Sequence, residues 1–146
     1  MGRSGFTLVE LVTIIVILGI MAAIAVPRFF SRNTFDSRSF YDQAISTLRY
    51  AQKAAIAQHR FVCVAFTANS VTLTTGATAA CGTNLTGPTG QSPYSVSSSN
   101  ASFTATPAAF NFDALGKPSF ATAPSITVSG YTTNPIIVEA ETGYVH

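Results

Sequence analysis

At 146 residues the chain is about one domain long, and its charged fraction of 10% is less than half of the roughly 25% usual in soluble domains. Eleven Phe and five Tyr argue against a disordered chain, and a net charge of +2 is too small to mark a nucleic-acid binder on its own. Charge sorts along the chain instead: an apolar N-terminus, then a basic stretch over 28–60, then Phe61–Phe112 with no Asp, Glu, Lys, Arg or His. The basic stretch holds six of the eight Lys and Arg (Arg28, Arg32, Arg38, Arg49, Lys53, Arg60) against Asp36 and Asp42.

Met1–Gly5 is short and basic through Arg3, and Phe6–Val26 (FTLVELVTIIVILGIMAAIAV) carries Glu10 as its only charge. As a helix rising about 1.5 Å per residue, that run would cover roughly 30 Å, the thickness of a bilayer's hydrocarbon core. Three readings compete. A cleaved secretory signal needs a small-residue cleavage site, of which Ala22, Ala23 and Ala25 are a weak version. A buried core helix could be as apolar but seldom opens so small a chain. A membrane anchor fits the pattern best, yet an ionisable group inside it costs about 2.5–3.5 kcal/mol at the centre and less near the interface. Glu10 therefore implies a partner. A cut between Gly5 and Phe6 would create an α-amino group four positions from Glu10, on the same helix face; the amino terminus of a neighbouring copy would serve equally well.

Gly5-Phe6-Thr7-Leu8-Val9-Glu10, after a short basic leader and before an unbroken apolar run that reaches Pro27, resembles the prepilin signal of type IV pilins and type II secretion pseudopilins. The resemblance implies cleavage after Gly5 by a membrane-embedded prepilin peptidase and N-methylation of Phe6. It also implies that Glu10 neutralises the amino terminus of an adjacent subunit during filament assembly.

Pro27 lacks an N–H and clashes with the preceding turn, so it is expected to end or bend the helix, with Gly19 a second soft point. Further on, Tyr41, Ala44, Ile45, Leu48, Ala51, Ala55 and Ile56 recur at three- and four-residue steps. The spacing predicts an amphipathic helix over 39–60, with 30–38 (FSRNTFDSR) a connection. Its basic groups read as a solvated face, or as a cytoplasmic-positive flank, which conflicts with the exported position the leader implies. Pairing with acids of neighbouring copies resolves that conflict. DNA binding is the sharper reading, since Tyr41 and Tyr50 lie among the cations, but the spacing matches no nucleic-acid module.

From Phe61 onward the chain reads as strands. Phe61–Thr67 and Val71–Thr75 flank a turn at Ala68-Asn69-Ser70, and 76–107 read as a long polar loop with one weak strand. Ala109–Phe112, Ser125–Ser129, Ile136–Val138 and Tyr144-Val145 follow, for five or six strands in all. Helix first and strands later predicts an α+β fold, an antiparallel sheet on the helix's apolar face. Leu48–Ile56 running into Val62-Cys63-Val64 is similar to the helix-to-strand passage of GspH/FimT minor pilins and pseudopilins. Phe110-Asn111-Phe112 with Gly116-Lys117-Pro118, and Ile137-Val138 through Thr142–Val145, resemble that family's mid-domain strand and turn and its final hairpin. The mannose-sensitive haemagglutinin type of minor pilin is a close competitor.

No catalytic constellation is legible. The histidines are His59 and His146, the six acids are scattered, and no phosphate-binding glycine motif occurs. Glu139 and Glu141 flank a solvated hairpin end or could meet a cation. Cys63 and Cys81 are the two cysteines. They form a disulfide if the domain is exported, stay as two thiols if it is not, or join His59 as an incomplete metal set. Major pilins commonly place a cysteine pair near the C-terminus; Cys81 lies far from it, which favours a minor role. The expected plan is a leader at 1–5, a transmembrane and filament-core helix at 6–27, a helical shoulder at 28–60 and a β-rich domain at 61–146. By the resemblance, the chain is a non-enzymatic subunit with no cofactor and no metal. It would be single-pass in the bacterial inner membrane, its globular domain in the periplasm, and later part of a pilus or pseudopilus. The partners implied are other pilin subunits, the prepilin peptidase and the membrane, with secreted cargo and DNA left open. The alternative is a minor pilin at a filament tip that binds DNA or a surface ligand.

Overall fold

The computed structural model describes residues 7–146, with 25–33 described by backbone alone. The chain divides into two units between Arg32 and Asn33. One helix, α1, runs from Leu8 to Gln58. Pro27 therefore lies inside helical backbone and does not end it. Residues 30–38, expected as a connection, are helical as well: the segment is polar but contains neither glycine nor a second proline to break the ladder. The helix stops where His59 adopts a left-handed φ of 48°. There the Arg60 N–H reaches the Ala55 carbonyl at 3.2 Å and the His59 N–H the Ile56 carbonyl at 3.4 Å. That is the Schellman arrangement, usually built on glycine.

Within Asn33–His146, α1 buries Phe40, Ala44, Thr47, Leu48, Ala51, Ala54 and Ala55. The buried face is rotated from the expected one. Tyr41 and Ile45 are half-buried, and Ile56 is 43% exposed. Four alanines on the inner face leave room for large strand side chains, and these join them in one apolar core: Val62, Val64, Leu73, Phe112, Ile126 and Ile136.

Strand β1 (Phe61–Phe66) pairs antiparallel with β2 (Ser70–Gly76) from Phe61↔Gly76 to Phe66↔Val71. The turn closes with the Thr67 N–H on the Ser70 carbonyl at 3.0 Å. Alternation sends Val62, Val64, Val71 and Leu73 inward. The 76–107 segment supplies two strands rather than one, β3 (Thr83–Asn84) and β4 (Tyr94–Ser97), both on the outer edge of β2. Neither is long or apolar enough to announce itself. β5 (Phe110–Phe112) pairs with the other edge of β1. A separate two-stranded sheet joins β6 (Ser125–Val128) to β7 (Tyr131–Ile137). β7 starts five residues before the expected Ile136 and contains Pro135, tolerable because a two-stranded sheet consists of edges. Tyr144-Val145 contributes a single bridge, Val138↔Val145, instead of a strand. The architecture is α+β, a long helix followed by antiparallel sheets.

Candidate functional site

The start of α1 is built by its own sequence. The Thr7 side-chain oxygen accepts the Glu10 N–H at 3.3 Å, and the Thr7 carbonyl accepts the Leu11 N–H at 3.2 Å. Thr7 is thus the N-cap and Glu10 the third helical residue, the spacing of a capping box. A carboxylate in the first turn also lies where the helix dipole favours negative charge. The Thr13 hydroxyl folds back onto the Val9 and Glu10 carbonyls at 3.0 and 2.9 Å, which satisfies it within the helix. Among the described residues no hydrogen bond or ion pair reaches the Glu10 carboxylate.

Around Glu10 the side chains are apolar on every face of the helix, and they are exposed: Leu8 79%, Leu11 57%, Ile15 58%, Leu18 59%, Ile24 64%. A helix hydrophobic all round is stable only when covered. Among the described residues no helix is long and apolar enough to cross a membrane. Phe6 and the side chains of Ala25 and Val26, which belong to the expected span, lie outside the described residues. The expected cleavage pair Gly5-Phe6 likewise lies outside them. Gly19, an expected soft point, sits in helical backbone with open space around it.

In the second unit the outer stripe of α1 carries Arg38, Asp42, Arg49 and Lys53, all exposed. The tyrosines among them are committed to packing. Tyr41 meets Tyr131 edge-on at 4.9 Å, and Tyr50 meets Tyr94 at 5.2 Å while its hydroxyl donates to the Thr86 carbonyl at 2.7 Å.

Cys63 and Cys81 are bonded to each other, their Cα atoms 6.1 Å apart. The bridge ties the 77–82 turn to β1. Gly76 makes the approach possible, since a Cβ there would stand 2.8 Å from the Cys81 Cα. His59 takes no part in this cluster; its conformation caps the helix, a role that spacing alone does not reveal. Among the described residues no group of three or more His, Cys, Asp or Glu is placed to hold a metal. Glu139 and Glu141 diverge, the first 3.0 Å from His146 and the second 2.9 Å from Lys117.

Comparison with known proteins adds two findings. Residues 1–26 match the family model of the prokaryotic N-terminal methylation motif. Over 58 residues the chain is 41% identical to the type IV narrow pilus major component PilA5 of Thermus thermophilus, a match covering 40% of this chain and 50% of that protein. The chain thus spans about half the length of that curated relative. No solved structure matches.

Proposed function

We propose that this chain, which belongs to the type IV pilin and pseudopilin superfamily, is a structural subunit of a type IV pilus or a type II secretion pseudopilus. The prepilin peptidase cuts it after Gly5, Phe6 is N-methylated, and the first helix holds it in the inner membrane with its globular unit in the periplasm. In the filament the apolar stretches of neighbouring α1 helices cover one another, and Glu10 neutralises an adjacent amino terminus. Gly19 and Pro27 are the points at which α1 bends to fit its neighbours. Within the superfamily the chain is a minor subunit of the GspH/FimT kind, its disulfide at Cys63–Cys81 lying early in the β domain instead of at its end.

One observation carries this reading: an all-round apolar, exposed helix whose first turn holds a single carboxylate without a partner among the described residues. Assembly from a membrane pool gives that acid a partner, because each new subunit brings an amino group to be neutralised. Intact-mass measurement of the membrane-extracted protein tests the processing; the expected mass begins at N-methyl-Phe6. A mature chain beginning at Met1 or Gly2 in cells with active peptidase overturns the reading.

A further inference from the structure

The 113–117 turn holds a leucine out into solvent. Leu115 is 83% exposed, the most exposed large apolar side chain described in Asn33–His146. The turn beneath it is braced. The Asp113 carboxylate accepts the Leu115 and Lys117 N–H groups at 2.9 and 2.8 Å, and Gly116 N–H donates to the Asp113 carbonyl at 2.9 Å. It is also fixed to α1, whose Gln52 side-chain amide donates to the Gly116 and Thr142 carbonyls. Gly143 permits this contact, because a Cβ there would strike the Gly116 carbonyl oxygen. On the same turn Lys117 pairs with Glu141, whose side chain is 83% exposed, a contact that adds little to folding. A braced apolar knob loses little entropy on docking.

A cleft of about 360 Å³ on the same unit has complementary chemistry. Tyr50, Tyr94 and Pro88 line it together with Ser46, Arg49 and Lys53, and no acid does; the Arg49 Nε also donates to the Val145 carbonyl at 3.1 Å. Among the described residues neither cation is in an ion pair. Tyr50 points to the cleft side and Gln52 to the knob side. Two residues apart on a helix of 3.6 per turn, they diverge by roughly 200°. Knob and cleft therefore lie on opposite flanks of the exposed stripe of α1.

We propose that Leu115 and Glu141 of one copy dock into the Tyr50–Tyr94–Pro88 cleft of a second copy of this chain, Glu141 meeting Lys53 and Arg49. The inference rests on the filament reading above. Two different surfaces on opposite flanks make a head-to-tail contact, which repeats from copy to copy along a filament. The subunit then occurs in runs of two or more, whatever its share of the filament.

The test uses the full-length chain in its bacterial host, with filaments sheared from the cells. Pro88→Cys and Leu115→Cys in one chain are expected to give a non-reducing ladder of dimers and higher species, about tenfold above either single variant. Lys53→Glu and Glu141→Lys should each lower incorporation about tenfold, and the two together should restore it, which a role for Glu141 confined to Lys117 does not explain. Filaments that contain the double-cysteine chain but show no ladder overturn the docking and leave the filament reading standing. Charge variants without mutual rescue do the same. A Lys53→Glu chain that enters filaments normally but loses DNA uptake gives the cleft to a nucleic acid and overturns it too. Absence of the processed chain from filaments overturns both readings.

Discussion

Glu10 holds two positions at once: third helical residue after the Thr7 N-cap, at the spacing of a capping box, and lone acid in an apolar run. The two roles separate chemically. Glutamine serves a capping box as well as glutamate but carries no charge, and Thr7→Ala removes the capping oxygen at a cost of about 1 kcal/mol while leaving the charge. If the charge serves assembly, Glu10→Gln is expected to insert and be cleaved normally yet lose filament incorporation about tenfold or more in competition with wild type. Thr7→Ala should stay competent. Immunoblots of sheared filaments against membranes give the comparison; a Glu10→Gln chain that competes equally assigns the residue to capping alone. Glu10 was legible in sequence because a charge in an apolar run is conspicuous. His59 was not, because a left-handed cap on histidine leaves no mark in composition or spacing and is visible only in its φ of 48° and the carbonyls it closes over.

At the scale of elements, the disulfide joins β1 to a turn that has little else to hold it. Residues 77–80 are Ala-Thr-Ala-Ala, and the turn's backbone closure is the Cys81 N–H on the Thr78 carbonyl at 3.2 Å. With a sequence separation of 18 between the cysteines, the cross-link restricts the unfolded chain by about 3 kcal/mol in the chain-entropy account. Reduction of the detergent-extracted protein is therefore expected to lower its melting temperature by on the order of 10 °C. Gly76→Val should hinder closure of the same bridge, since its Cβ meets the Cys81 backbone, and should appear as free thiol in exported protein. An unchanged melting point on reduction removes the stabilising role. The elements themselves show where sequence reading succeeds. Period-two runs of β-branched and aromatic residues announced β1, β2 and β6, and the helical period announced α1 beyond residue 39. β3 and β4 stayed hidden in a Thr/Ser/Gly stretch because they borrow their order from β2 and have too few apolar residues to signal a face. The early start of α1's second half was hidden by polar residues that suit a solvated helix as well as a loop.

For the molecule as a whole, the two units meet water in opposite ways. Among the described residues every buried side chain lies between Ser37 and Val145, and Leu8–Ile24 buries none. On the proposed filament reading, folding and assembly fall to different parts of one chain. The unit beginning at Asn33 retains the helix residues that face the sheet, the disulfide and both sides of the proposed knob-and-cleft contact. It is expected to fold cooperatively without detergent. It should also be monomeric, because one leucine and an exposed ion pair make a contact well under the roughly 1,000 Å² that stable association requires. On the proposed filament reading the same contact would be strengthened, because covered α1 helices would hold the copies side by side and make docking intramolecular in effect. Light scattering at micromolar concentration, with thermal melting followed by circular dichroism, checks both expectations. A fragment that aggregates, or that melts without a cooperative transition, would show that the globular core depends on the apolar helix, and the division of labour between the units would fall.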